Sequence, residues 1–273
     1  TLMRSSAASD VYKRQFLSRK KAEFGVGIAR MEDRYFQTNI IDFSETKHDE
    51  STYSIFGGSI VLEGSTLNAR QFATQGSREK MAAQIFTGTE HFRSGVSKVT
   101  KGTPEPYKKV QSWLQVSYQN ETYHKVSPKF TLGAYLEAYY SSRNFSNNYT
   151  ATLMQAGEFT PTAHSKVTYN EAFRANQYAG VGTMPIYQLS ESFQLRGEFY
   201  GFIPIFPIKK DEYGQAYYGK AFTKFEYLGE ISLVFQLSFG SISAYVNHYS
   251  SPSNDWNVGL TLGWQLFNSR FVE

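Results

Sequence analysis

Arg196 and Glu198 stand two residues apart in the stretch FQLRGEFYGF. In an extended chain that spacing sends both side chains to the same side, so a guanidinium and a carboxylate can pair across it. The pairing is expected to be a structural ion pair facing a polar interior, with a gating or plug contact as the sharper option. Other constellations that could carry chemistry are missing. There is no G-x-S-x-G elbow to raise a serine nucleophile. No P-loop, no G-x-G-x-x-G and no H-E-x-x-H occurs. The chain has no cysteine, which removes disulfides, thiolate metal sites and a cysteine nucleophile. Its five histidines, His48, His91, His124, His164 and His248, are far apart, so a metal centre needs a fold that gathers them. GVG at 25–27 sits in an alternating stretch and reads as packing relief. Carboxylates abound, but none pair off as acid and base. The sequence therefore assigns no catalytic residue, no metal ligand and no cofactor.

What must position these side chains is a set of strands. In WNVGLTLGWQLF, 256–267, every second residue is large and apolar: Trp256, Val258, Leu260, Leu262, Trp264 and Leu266. A strict period of two marks a strand with one greasy and one polar or small face. The same alternation recurs at 229–239, 241–249, 192–203, 129–141 and 110–120. Weaker versions lie at 168–178, 79–90, 54–63 and 23–31. Segments of about ten residues match tilted strands crossing a bilayer. The fold class this implies is all-β: a transmembrane antiparallel β-barrel with about ten strands in view.

Placement of charge agrees. Arg196, Glu198, Glu230 and Glu137 all fall on the polar face, where a barrel has its lumen. An Arg or Lys on the lipid face would cost about 2–4 kcal/mol. The rival is a soluble sandwich with its polar residues outward. Barrels also alternate short periplasmic turns with long outer loops. Counting back from the tight turn at Phe239-Gly240-Ser241 makes 122–128, 64–78 and 179–191 periplasmic, and 250–255, 204–228, 142–167, 93–109 and 32–52 outer. Two of the inner connections, 64–78 and 179–191, are longer than that rule expects.

Composition fits the same picture. The chain of 273 residues carries 22 Phe and 20 Tyr, yet its mean hydropathy is −0.44. A greasy outer wall diluted by a polar lumen and polar loops gives that combination. No run approaches a spanning helix of about 20 apolar residues. The most apolar, GFIPIFPI at 201–208, is interrupted by Pro204 and Pro207. The formal charge is +4. Lys98, Lys101, Lys108, Lys109, Lys209 and Lys210 are scattered in or beside loops, and read as solvated loop charge with no nucleic-acid surface. Residues 1–15, TLMRSSAASDVYKRQ, lack the apolar core of a signal peptide. They resemble translated sequencing adapter and are set apart from the barrel domain, 16–273.

Three stretches carry a family resemblance: STLNARQFATQGSREKMAAQIFTGTE (65–90), NNYTATLMQAGEFTPTAHSKVTYNEAFRANQYAGVG (147–182) and LVFQLSFGSISAYVNHYSSPSNDWNVGLTLGWQLFNSRFVE (233–273). They resemble the C-terminal barrel of the patatin-like phospholipases of Bacteroidota, within the superfamily of surface-antigen and outer-membrane assembly barrels. The resemblance implies a sixteen-stranded outer-membrane barrel, of which this chain holds the last ten strands. It also implies a lipid acyl hydrolase domain upstream, so that this part anchors or displays an enzyme without being one. Asn68, Phe72, Thr74 and Gly76 fit the superfamily's N-x-x-x-(Y/F)-x-T-x-G periplasmic turn. Gly263, Trp264, Leu266 and Phe267 resemble the terminal signal that barrels present to the barrel assembly machinery. The partners implied are that machinery and outer-membrane lipids; the oligomeric state and the lipid substrate stay open. The V-R-G-F lid motif of assembly barrels is absent from 142–167, which sets an assembly or secretion barrel, or a passive pore, behind the anchor as alternatives.

Overall fold

The computed structural model describes residues 20–35, 48–69, 71–95, 105–237, 240–251 and 256–264. The stretch 1–15 lies outside them, as do Leu266 and Phe267. Five long strands come first: Lys20–Tyr35 (β1), Asp49–Ser65 (β2), Gly76–Arg93 (β3), Tyr107–Lys125 (β4) and Phe130–Ser141 (β5). A connection follows that holds the short helix Tyr149–Gln155 (α1) and a two-residue ladder of Gly157–Glu158 (β6) with Arg174–Ala175 (β7). Gln177–Ser190 (β8) and Phe193–Pro204 (β9) come next. A small outlying hairpin, Ile208–Lys210 (β10) and Ala216–Tyr218 (β11), precedes Glu226–Leu237 (β12), Gly240–Tyr249 (β13) and Trp256–Trp264 (β14).

Ten of these strands form one sheet in the order β1-β2-β3-β4-β5-β8-β9-β12-β13-β14. Every pairing in it is antiparallel, and each long strand pairs with the next long strand along the chain. The fold is thus all-β, a meander compatible with part of a barrel. Among the described residues no pairing joins β1 to β14. No helix among them is long and apolar enough to cross a membrane.

The expected strand at 168–178 and the expected turn at 179–191 are both overturned. Residues 177–190 are β8, and most of 168–176 belongs to the connection before it. The reason lies in the side of β8 that faces inward: Tyr178, Gly180, Gly182, Met184 and Ile186. After Tyr178 none is polar, so the period-two signal is lost. Gly180 has no side chain because Phe159, from the preceding connection, lies on the wall there; a Cβ would sit 2.1 Å from its ring. With β8 in place, β8 and β9 are joined by Glu191 and Ser192 alone. The alternation of short turns and long loops becomes stricter than the sequence implied, and 66–75 is the one long connection left on the short side.

The sheet exposes apolar side chains on one face and buries polar and charged ones beside an aromatic cluster on the other. Outward stand Leu136, Val181, Leu195, Phe199, Ile231, Leu233, Ile242 and Leu260, all exposed. Inward, Gln194, Arg196, Glu198, Glu230, Ser232, Ser243 and Asn247 are buried. A soluble sandwich with its polar residues outward is the reverse of this arrangement.

What buries the polar face is the chain's own connections. Gln155 Nε2 donates to Asp33 on β1 (3.2 Å) and to the Tyr53 hydroxyl on β2 (3.0 Å). The same connection reaches β12 and β13 through His164. One segment can touch the first strands of the sheet and β12 and β13 near its far end only if the sheet curls around it. The largest apolar cluster forms at that contact. Phe159 and Phe173 pack on Tyr178, Tyr200 and Phe202, with Phe159 and Phe202 ring centroids 5.5 Å apart.

Candidate functional site

The inner face is where 66–75 and 142–176 meet the wall. The first of these builds itself from local hydrogen bonds. The Thr66 amide donates to the Ser77 carbonyl (2.7 Å), and the Ser77 amide donates to Thr66 Oγ1 (2.9 Å). Asn68 Oδ1 accepts from the amides of Thr74 (2.9 Å) and Gln75 (3.1 Å), while its Nδ2 donates to Thr74 Oγ1 (2.9 Å). Phe72 and Gly76 have left-handed backbones, φ 54° and 94°. A Cβ on Gly76 would lie 2.2 Å from the Thr66 carbonyl oxygen, so glycine is required there. Asn68, Phe72, Thr74 and Gly76 therefore stand together in one turn, each with an identifiable local task.

The tip of the turn is pushed onto the wall, and its exposed carbonyls are capped by side chains from two strands. Gln71 O accepts from Gln236 Nε2 on β12 (3.0 Å), while on β9 Gln194 Nε2 donates to Phe72 O (3.3 Å) and Arg196 Nη1 to Ala73 O (2.8 Å). Arg196 is the centre of this contact. Its Nε donates to Glu198 and its Nη2 to the Tyr123 hydroxyl (2.8 Å). Its guanidinium carbon lies 5.3 Å from the Tyr123 ring centroid and 5.9 Å from that of Phe72. Glu198 also accepts from the Tyr200 hydroxyl (3.0 Å). Arg196 and Glu198 form a buried ion pair. What its spacing did not reveal is that a backbone carbonyl more than a hundred residues away shares the guanidinium.

A second cluster holds 142–176. His164 Nδ1 lies 2.5 Å from Glu230 Oε1 and its Nε2 lies 3.2 Å from Ser243 Oγ. Asn247 Nδ2 donates to the other Glu230 oxygen (3.4 Å). The imidazole stacks on Tyr245 at 3.6 Å between centroids. Elsewhere in the connection Arg174 pairs with Glu158 (2.7 Å), and Asn170 Nδ2 donates to the Ser251 carbonyl (2.7 Å). Glu137 on β5 accepts from the Tyr178 hydroxyl (2.6 Å) and from Tyr135.

Serine, histidine and glutamate stand here in the order of a hydrolytic relay. The chemistry such a relay needs is not offered. Ser243 and His164 are both buried, at 1% and 2% exposure, and the connection itself covers them. An oxyanion needs free backbone N–H donors, but Ser243 sits inside β13, which is paired on both sides. The cluster works as a latch between one connection and the wall. The other four histidines do not join it, and among the described residues no three His, Asp or Glu side chains gather as a metal site.

No pattern in the sequence marks the parts played by His164 and Tyr123. Glu230 was visible on the polar face of its strand; His164 was one polar residue in a connection with no periodicity, and only the fold supplies its partner. Gly263 and Trp264 close β14, whereas Leu266 and Phe267 lie beyond the described residues. Compared with known proteins, the chain matches no family model and no curated protein.

Proposed function

We propose that this chain forms the wall of an outer-membrane β-barrel whose polar interior is filled by two of its own connections, and that it anchors a patatin-like lipid hydrolase. One observation carries the membrane part: the exposed face is apolar while arginine, glutamate and glutamine are buried on the other. Water as solvent selects the opposite arrangement, and lipid selects this one. The ends of the outward face support it. Tyr140, Tyr227 and Trp256 are exposed toward the long loops, Tyr187 and Phe235 toward the short turns, with Leu136, Val181, Leu233 and Leu260 between. Aromatic residues favour the two water interfaces of a membrane.

The hydrolase part rests on the family resemblance alone. The anchor role is favoured over a passive pore because 66–75 and 142–176 occupy the concave side. Catalysis then belongs to a separate domain, and the assembly machinery and outer-membrane lipids are the partners.

The test is a pair of neighbours on β14. Leu262 is exposed on the apolar face and Thr261 is on the opposite one. Leu262→Arg should lower the yield of urea-resistant, membrane-integrated protein strongly, by about 2–4 kcal/mol of insertion energy, and Thr261→Arg should not. Equal yields would remove the membrane reading.

A further inference from the structure

We infer that the outward face carries a seat for one acyl chain of a membrane lipid, centred on Gly229. The inference rests on the membrane reading above and goes beyond it, since a uniformly greasy wall has no preferred lipid position. A groove of about 710 Å³ is sunk into the apolar face across β8, β9, β12 and β13. Its floor follows from the register. Gly229 on β12 lies opposite Phe199 on one side and His248 on the other, and Gly201 lies between Val181 and Tyr227. Two glycines on outward-facing positions of adjacent strands leave a trough where neighbouring rows carry Leu233 or Ile231.

The walls are apolar and the upper rim is not. Phe199, Ile231 and Val246 flank the trough, and Phe225 closes over Gly201, where a Cβ would lie 3.0 Å from its ring. Toward the long loops the groove ends in a ladder of three amphipathic rings. His248 stacks near Tyr227 (5.9 Å between centroids) and leans on Trp256 (4.8 Å). Phenol, imidazole and indole N–H or O–H groups are hydrogen-bond donors. An acyl chain is greasy along its length and ends in an ester carbonyl that accepts hydrogen bonds. Trough and ladder match those two parts in that order, with the carbonyl at the interface level where such rings settle. The complementarity is to a lipid chain entering from the loop side.

Gly229 gives a clean probe. Its φ lies outside the left-handed range, and an added Cβ would meet only Phe199, at an ordinary 3.6 Å. Gly229→Leu therefore fills the trough without straining the strand. Isolated membranes from cells producing the protein would be loaded with a phospholipid carrying a diazirine in its acyl chain. After photolysis, labelled residues are mapped by mass spectrometry. Labelling at Phe199, Ile231 and Val246 should exceed that at Leu233, Ile242 and Leu260 several-fold. It should fall to their level in Gly229→Leu and stay high in Ala244→Leu, which enlarges the same face elsewhere. Even labelling along the whole outward face in the unmodified protein, or an unchanged pattern in Gly229→Leu, would overturn the seat and leave the membrane reading standing. Absence of label from every outward residue would overturn both.

Discussion

From Thr66 to Gln75 the chain is held mainly by its own neighbours, whereas from Ser142 to Asn176 it is held by strands far away in sequence. Asn68 finds Thr74 and Gln75 within seven residues. His164 finds Glu230 66 residues on, and Gln155 finds Asp33 122 residues back. Both segments end on the same inner face, the first over Arg196 and the second over Glu230. The difference teaches that an inward fold has two origins. A turn whose side chains close their own ring presents a finished shape to the wall. An irregular connection takes its shape from the wall, through the aromatic cluster under Phe159 and the latch at His164.

The largest test of this contrast is Arg196→Ala, because Arg196 joins the tip of the turn to the wall. Removal leaves the buried Glu198 without its charge partner and Ala73 O without its donor. A broken buried pair costs about 3–5 kcal/mol. The urea midpoint of the lipid-embedded protein should drop further than in His164→Ala, Asn68→Ala or Phe72→Gly. If 66–75 stays protected from protease in Arg196→Ala, its shape is local to the tip. If it becomes cleavable, the wall shapes it as well.

His164→Ala should act next most strongly. A hydrogen bond to a charged group contributes about 1.5–3 kcal/mol, and Glu230 keeps its contact with Asn247. Limited proteolysis should open 142–176 while sparing 66–75. Simultaneous opening of both segments would show that they are one unit and would dissolve the comparison.

Asn68→Ala is the converse experiment with a smaller effect. Three hydrogen bonds within the turn are lost, partly replaced by water, for about 1–2 kcal/mol in total. Hydrogen exchange should rise at the amides of Thr74 and Gln75 and stay unchanged at 149–155. Protection at Thr74 equal to that of the unmodified protein would mean that the wall contacts alone hold the turn.

Phe72→Gly should do least. Its φ of 54° suits glycine, which relieves about 1 kcal/mol of backbone cost, while the ring's contacts to Arg196 and His164 are given up. The two nearly cancel, and an unfolding midpoint within experimental scatter of the parent is the expected result. A large loss would assign the ring of Phe72 a greater part in joining the two segments than the backbone has.

Much of this architecture was present in the chain as written. Period-two alternation located nine of the ten long strands and put Arg196, Glu198, Glu230 and Glu137 on the polar side, because side chains of a strand can point only two ways. The Asn68, Phe72, Thr74 and Gly76 turn was marked only by the superfamily motif it resembles, and the bonds that shape it close within about ten residues. β8 was lost because its inward positions beyond Tyr178 are glycine, methionine and isoleucine, the glycines receiving Phe159 and Tyr200 and not water. The fate of 142–176, its buried histidine and the third partner of Arg196 were decided only in three dimensions. Sequence patterns record which way a side chain faces relative to its neighbours, while a contact across a curled sheet depends on the path of every strand between.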